Sequence, residues 1–392
     1  MRCKLVARLS GFLSTSIGST PWYLLLLSFL VLRNVLYVPL LVALSSTLSS
    51  LIAVYARLRK AMPPETLVAL SFASTILVAT YFLSPQPSLL LAVLCILLSI
   101  STLLGRGFRS ALDLSIRVRE SLRSKILIEL GRFSWIPSSA LCIAIPLMHV
   151  ALGYASVLAM LSLASLLASL LLVALKPFRM GMEAERNESI KLSQAREASY
   201  VLALVSSVLV LCMGMTYPYA PILLYESSNL DIVGVGMVYA FLTIATFVSM
   251  MVAQPFVAVR GATASLLLRC FVLSTTLLVI STSENFVVLA LATILALATS
   301  PFYTTAYSVL VRFADPSTVF NLELLYTALS VFGSFLGALA WRLDARLPFL
   351  VASLLSMFAI IPAAMLKRFE HEVAKIVALK LRSEGGSIEL EL

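Results

Sequence analysis

The chain has 392 residues, of which 60% are hydrophobic and only 12% charged, with a mean hydropathy of +1.01. A soluble domain carries about 25% charged residues, and half that density cannot clothe a water-exposed surface of this size. A soluble enzyme, a nucleic-acid-binding protein and a disordered chain are thereby excluded, and the net charge of +10 needs another explanation.

Stretches free of Asp, Glu, Lys and Arg cover residues 66–105, 133–175, 198–225, 232–259 and 285–311. A membrane-crossing helix needs about 20 mostly apolar residues, so each stretch holds one or two. Apolar residues occupy every face, as over 157–175, whereas transmembrane strands alternate over about 10 residues. Helices satisfy their own backbone in lipid, and an all-α integral membrane protein follows. In chain order, charges and turn residues delimit twelve spans, near 4–27, 35–56, 65–84, 87–110, 127–149, 152–175, 199–223, 232–256, 262–282, 285–309, 319–341 and 347–366. The first boundary is the softest, because 14–20 is polar and Arg33-Asn34 interrupts the run. Arg2, Lys4 and Arg8 stand before an apolar stretch as in a signal peptide, but the spans that follow favour an uncleaved helix. Cys3, Cys95, Cys142, Cys212 and Cys270 show neither CxxC spacing nor a disulfide framework.

The basic residues test this count. With both termini in the cytoplasm, 24 of the 29 Lys and Arg fall on the inner side, three (Arg33, Arg342 and Arg346) on the outer, and Arg132 and Arg269 within helix limits. Such a bias is the positive-inside rule, and an odd number of missed spans would collapse it. Topology and anionic inner lipid therefore account for the net charge, with no nucleic-acid partner.

The twelve spans also repeat. A shift of about half the chain lays the first six on the last six, and 17–23 falls on 213–219 with Gly18, Thr20 and Tyr23 matching Gly214, Thr216 and Tyr219. Six spans per repeat preserve orientation, so the repeats are parallel. The expected organisation is a six-helix half over 1–175, a charged cytoplasmic linker over 176–198, a second half over 199–366 and a cytoplasmic tail over 367–392. In the tail Phe369, Val373, Ile376 and Val377 recur at helical spacing among charges, as in a helix lying on the membrane surface.

Local motifs add to this pattern. Tyr55-Ala56-Arg57-Leu58-Arg59-Lys60 lies between spans 2 and 3, Arg260-Gly261 between spans 8 and 9, and Gly105-Arg106-Gly107-Phe108-Arg109 with Asp113 after span 4. Together with the two six-helix halves and the central linker, these features resemble the major facilitator superfamily over nearly the whole chain. The family's loop between helices 2 and 3 has Gly and Asp before its basic end; here only the basic end remains, and span 5 lacks the Gly-Pro repeat of many drug antiporters. The resemblance implies secondary active transport of a small solute by alternating access. It implies a cavity lined by spans 1, 4, 7 and 10, with Thr20, Tyr23, Ser99, Thr102, Thr216, Tyr219, Tyr303 and Tyr307 as candidates beside Ser16. It also implies cytoplasmic gating by Arg57, Arg59, Lys60, Arg106, Arg109 and Asp113.

Ionisable residues inside a membrane mark functional sites by default. Glu129 and Arg132 lie three apart in span 5, on one helix face, and join the cavity candidates. Glu323 in span 11 is a gating candidate, and Arg269, two turns into span 9, is read as a side chain snorkelling to the interface. A cavity of hydroxyls and phenols suits a neutral or amphipathic solute, and the basic inner rim admits an organic anion. No metal set, cofactor motif or clustered catalytic set is present, so no enzyme is expected. The expected protein is a cell-membrane monomer in contact with lipid and a small-molecule substrate. A transport-inactive sensor or scaffold, and a different two-repeat exporter of lipophilic compounds, are the alternatives. Gly333 and Gly337 form a GxxxG pattern expected to pack closely on another helix.

Overall fold

A computed structural model describes residues 17–58, 64–115, 120–174, 193–227, 230–311 and 316–368. Among these the regular structure is helical. The first six helices are α1 (Pro21–Leu32), α2 (Tyr37–Leu58), α3 (Pro64–Leu83), α4 (Pro87–Ser115), α5 (Glu120–Leu152) and α6 (Tyr154–Ala174). They are followed by α7 (Ser193–Thr216), α8 (Ala220–Ser227), α9 (Ile232–Arg260), α10 (Ala262–Thr282), α11 (Phe286–Ala298) and α12 (Ser300–Val311). The last are α13 (Pro316–Leu343) and α14 (Leu347–Phe358). Among the described residues ten segments are long and apolar enough to cross a membrane, and two shorter apolar helices, Pro21–Leu32 and Tyr37–Ile52, stand at the first two expected spans.

The helix starts follow from the sequence. Proline opens α1, α3, α4 and α13, a position where its missing N–H is no loss and its φ suits the helix. Asn285 caps α11, its Oδ1 accepting from the Val287 and Val288 amides at 2.9 and 3.4 Å. The first span differs from the expected 4–27, because α1 continues to Leu32 and stops only at Arg33, which adopts φ 48. Spans 7 and 10 are each broken in two, at 217–219 and at Thr299. In the first span Thr20 precedes α1 with its own helical turn cut short, at the place that matches Thr216 in the seventh. Of the expected linker, 193–198 form the start of α7, so span 7 begins earlier than 199; residues 175–192, the tail beyond residue 368 and the segment before residue 17 lie outside the described residues.

The chain divides into two compact units, Met1–Ala184 with Pro218–Ile244, and Glu185–Tyr217 with Ala245–Leu392, so the division passes through α9. In the first unit α3 packs on α4 and α6, α1 on α4 and α8, and α5 on α6. In the second, α10 packs on α11, α12 and α14, α7 on α12, α13 and α14, and α13 on α14. The pairing of spans 3–6, 3–4, 1–4 and 5–6 in the first half thus recurs as 9–12, 9–10, 7–10 and 11–12. One detail of the chemistry recurs too. Ser71 and Ser169 share a hydroxyl bond of 3.0 Å across α3 and α6. Across α10 and α14, Ser353 donates to the Ser274 carbonyl at 2.8 Å and Ser274 to the Ser353 carbonyl at 3.1 Å. Small hydroxyl residues let membrane helices approach and bond.

Glycine makes the closest crossing in the second unit. A Cβ on Gly214 would stand 2.5 Å from the Ser330 carbonyl oxygen, and one on Gly333 2.6 Å from that of Leu211. The expected close packing of Gly333 is therefore with α7. In the first unit Gly236 meets α5 in the same way, against the Cys142 carbonyl and 2.6 Å from Pro146 Cγ.

Candidate functional site

The break in span 10 organises the polar interior of the second unit. Pro301 has no amide hydrogen and clashes with the carbonyl four residues back, so helix α11 ends at Ala298 and α12 restarts at Ser300. A helix end leaves carbonyls short of amide partners and carries partial negative charge. Arg269 of α10 answers both: its Nη1 donates to the Ala296 carbonyl and to Thr299 Oγ1, and its Nη2 to Met213 Sδ at 3.3 Å. Arg269 is 2% exposed, which overturns the snorkelling assignment. It is held inside the unit because the broken helix offers the acceptors that an intact one would have used. Among the described residues Arg269 has no carboxylate partner; the ion pair present is Arg346–Glu284, at 3.9 Å on the surface.

Beyond the break, α12 carries Tyr303 and Tyr307 one turn apart, with ring centroids 5.7 Å from each other. The Tyr307 ring meets Tyr326 of α13 edge-on at 6.0 Å. Ser206 of α7 lies beside both Tyr303 and Tyr326. The Ser206 and Tyr326 hydroxyl oxygens are buried, with one another and the Tyr303 and Tyr307 phenols as their polar neighbours. Each hydroxyl can donate once and accept twice, so a buried cluster of hydroxyls beside three phenol rings keeps capacity for a further partner. Its chemistry is neutral: donors and acceptors at the rim of aromatic faces, suited to stacking on a ring and bonding to its substituents.

The other candidates are placed differently. Thr20 donates to the Ile17 carbonyl at 2.7 Å, Thr102 to that of Leu98 at 2.9 Å and Thr216 to that of Cys212 at 2.8 Å. Ser99 donates to the Cys95 and Ser45 carbonyls at 2.7 and 3.2 Å. These hydroxyls serve helix backbone, a usual role in membrane helices. Tyr23 and Tyr219, matched by the repeat, are both fully buried, and the Tyr23 hydroxyl bonds His149 Nδ1 at 2.9 Å. Glu129 and Arg132 lie on α5, Arg57 on α2, Arg106, Arg109 and Asp113 on α4 and Glu323 on α13, with side chains outside the described residues; Arg59 and Lys60 lie outside altogether. Ser206, Tyr326 and His149 were not singled out in the sequence for this role. The signal for Tyr326 was its place one turn beyond Glu323, in a span the cavity rule leaves out.

The sequence matches no protein-family model, and no curated protein shows significant similarity to it. Solved structures do. The nucleoside transporter NupG superposes with a TM-score of 0.66 at 11% identity, over 94% of this chain and 99% of that one. A bacterial homologue of the iron transporter ferroportin, in an inward-facing state, gives 0.66 at 15% identity over 93% and 98%. The human organic anion transporter MFSD10 (TETRAN) gives 0.65 at 12% identity over 91% and 98%. With twelve apolar spans and two sets of six that pack by one pattern, the chain has the major facilitator fold.

Proposed function

We propose that this protein is a secondary transporter that moves a small, uncharged, ring-bearing solute by alternating access, with Ser206, Tyr303, Tyr307 and Tyr326 as its contacts in the second unit. The buried hydroxyl cluster of Ser206 and Tyr326 beside Tyr303 and Tyr307 carries this reading. Unused donors and acceptors in a buried cluster cost stability unless something completes them, and a hydroxylated or heterocyclic solute does so. Arg269 points away from an anionic cargo, because Nη1 is engaged with the α11 end. A scaffold or sensor needs no such cluster. The neighbours of like fold are a nucleoside transporter, a homologue of an iron transporter and an organic anion transporter; of these classes the nucleoside matches the neutral chemistry of the cluster.

In the same reading both termini are cytoplasmic and the protein sits in the cell membrane as a monomer. The halves 1–175 and 199–366 rock about the 176–198 linker. Arg57, Arg59, Lys60, Arg106, Arg109, Asp113 and Glu323 act at the inner gate, with Glu129 and Arg132 near it on α5. The test is thermal unfolding of the detergent-purified protein against neutral nucleosides, hexoses, organic anions and lipophilic cations. A ligand at about 100 times its Kd adds roughly 2.7 kcal/mol. The expected outcome is stabilisation by a neutral ring compound that disappears in Ser206→Ala and Tyr326→Phe. Stabilisation by anions alone, or a neutral hit that survives both substitutions, overturns the assignment.

A further inference from the structure

His149 is the one histidine among the described residues, and it lies near the end of α5, next to the Gly153 turn into α6. Its Nδ1 meets the hydroxyl of Tyr23, a side chain with no exposed surface. Tyr23 is adjacent in sequence to Trp22, whose indole stacks on Tyr239 with centroids 4.7 Å apart and planes 14° from parallel. Tyr239 and Gly236 belong to the α9 segment that joins the first unit, and Gly236 sits directly against Cys142 and Pro146 on the helix that bears His149. The first six spans and the start of span 8 are thus sealed at this end by one aromatic stack and one glycine crossing, with His149 bonded to the residue beside the stack.

We propose that His149 is a proton-binding site that controls this seal, neutral when it is shut and protonated when it opens; the proposal rests on the transport reading above and makes the proton its coupling or regulating ion. In the neutral tautomer that carries its hydrogen on Nε2, Nδ1 accepts a hydrogen bond from the Tyr23 hydroxyl. Protonation turns Nδ1 into a donor, so the buried Tyr23 hydroxyl loses its acceptor and a positive charge enters a half-buried site. The groups facing His149 are phenols: Tyr23 on α1 and Tyr154 on α6, with Tyr81 of α3 bonded to Tyr154 at 2.8 Å. On the α8–α9 side Glu226 and Asp231 are exposed, and Asp231 Oδ1 accepts from the Gly234 amide. Among the described residues no carboxylate pairs with His149. Acid therefore favours opening.

The test uses the full chain in proteoliposomes, with Trp135→Phe and Trp341→Phe leaving Trp22 as the reporter, and iodide as an impermeant quencher. The quenching constant of Trp22 is expected to rise by about threefold or more between about pH 8 and about pH 5.5, and to stay flat when His149→Gln is added. A flat response in the parent overturns the proposal, as does an equal rise in His149→Gln. If the tryptophan variant fails to fold, hydrogen exchange of 232–244, corrected for intrinsic rates, is compared between the unmodified chain and His149→Gln with the same two criteria. No solute enters either measurement, so a failed cargo assignment and a failed seal assignment are told apart.

Discussion

Gly214 and Gly333 allow a direct calculation of what holds α7 to α13. Replacing either by Ala builds a Cβ 2.5 or 2.6 Å from a backbone carbonyl oxygen, where real Cβ atoms essentially never come within 3.0 Å. The carbonyls belong to helices and cannot swing aside, so the helices must part by about 0.5 Å or more. A gap of 0.5–1 Å forfeits roughly a quarter to a half of each dispersion contact, and overpacking of this kind costs about 1–3 kcal/mol. For a unit of this size that lowers Tm by about 2–4 °C per kcal/mol. Both glycines sit in one crossing, so a single separation accommodates both methyl groups and the double substitution costs less than the sum of the singles. Gly234→Ala is the control: its Cβ meets the flexible Leu230 Cδ2 end at 2.7 Å, and a surface change of this sort stays within about 0.5 kcal/mol. Thermal unfolding of the four variants in one detergent decides the matter. A neutral Gly333→Ala, or strict additivity in the double variant, refutes the crossing as described.

Further outcomes follow from the same geometry. Arg269→Lys keeps the charge but replaces a planar fork by a single ammonium, so the α11 end held by Nη1 and the Met213 sulfur held by Nη2 cannot both be kept; a loss of about 1–3 kcal/mol is expected by thermal unfolding, and an unchanged Tm contradicts the clamp. Ser353→Ala removes the hydroxyl that reaches the Ser274 carbonyl across α10 and α14. Interhelical hydrogen bonds in membranes average about 0.6 kcal/mol, so its Tm falls by a few degrees at most, and a collapse of the fold would mean that this crossing carries more than one bond. Ser206→Ala, which removes the hydroxyl beside Tyr303 and Tyr326, is expected to cost the solute-free protein no more than about 1.5 kcal/mol by thermal unfolding, the net worth of one hydrogen bond, while a loss well beyond that would show that Ser206 holds the fold rather than a solute.

The membrane explains why the spans were legible from composition. Lipid forces every backbone group to bond within its own helix, so hydropathy alone located α10 over its full length and most others within a few residues. Span 10 read as unbroken over 285–309, and Pro301 breaks it. Its consequence was not legible, because Arg269 looked close to an interface when measured along its own helix, and only the packed structure sets the Ala296 carbonyl beside it. The hydroxyl candidates were legible as residue types but not as partners. Thr20, Thr102 and Thr216 bond their own turns, while Ser206, one of many serines in apolar spans, stands beside Tyr303 and Tyr326 through packing of α7, α12 and α13 that no linear spacing encodes.

The central claim is movement of a neutral solute, and counterflow tests it most directly. Proteoliposomes preloaded with the stabilising compound are diluted into its labelled form without any ion gradient, and uptake is followed over time. The account predicts transient accumulation of label that is lost in Ser206→Ala combined with Tyr326→Phe while the variant remains folded. Binding without any exchange of label would contradict it and leave a protein that recognises the solute but does not carry it.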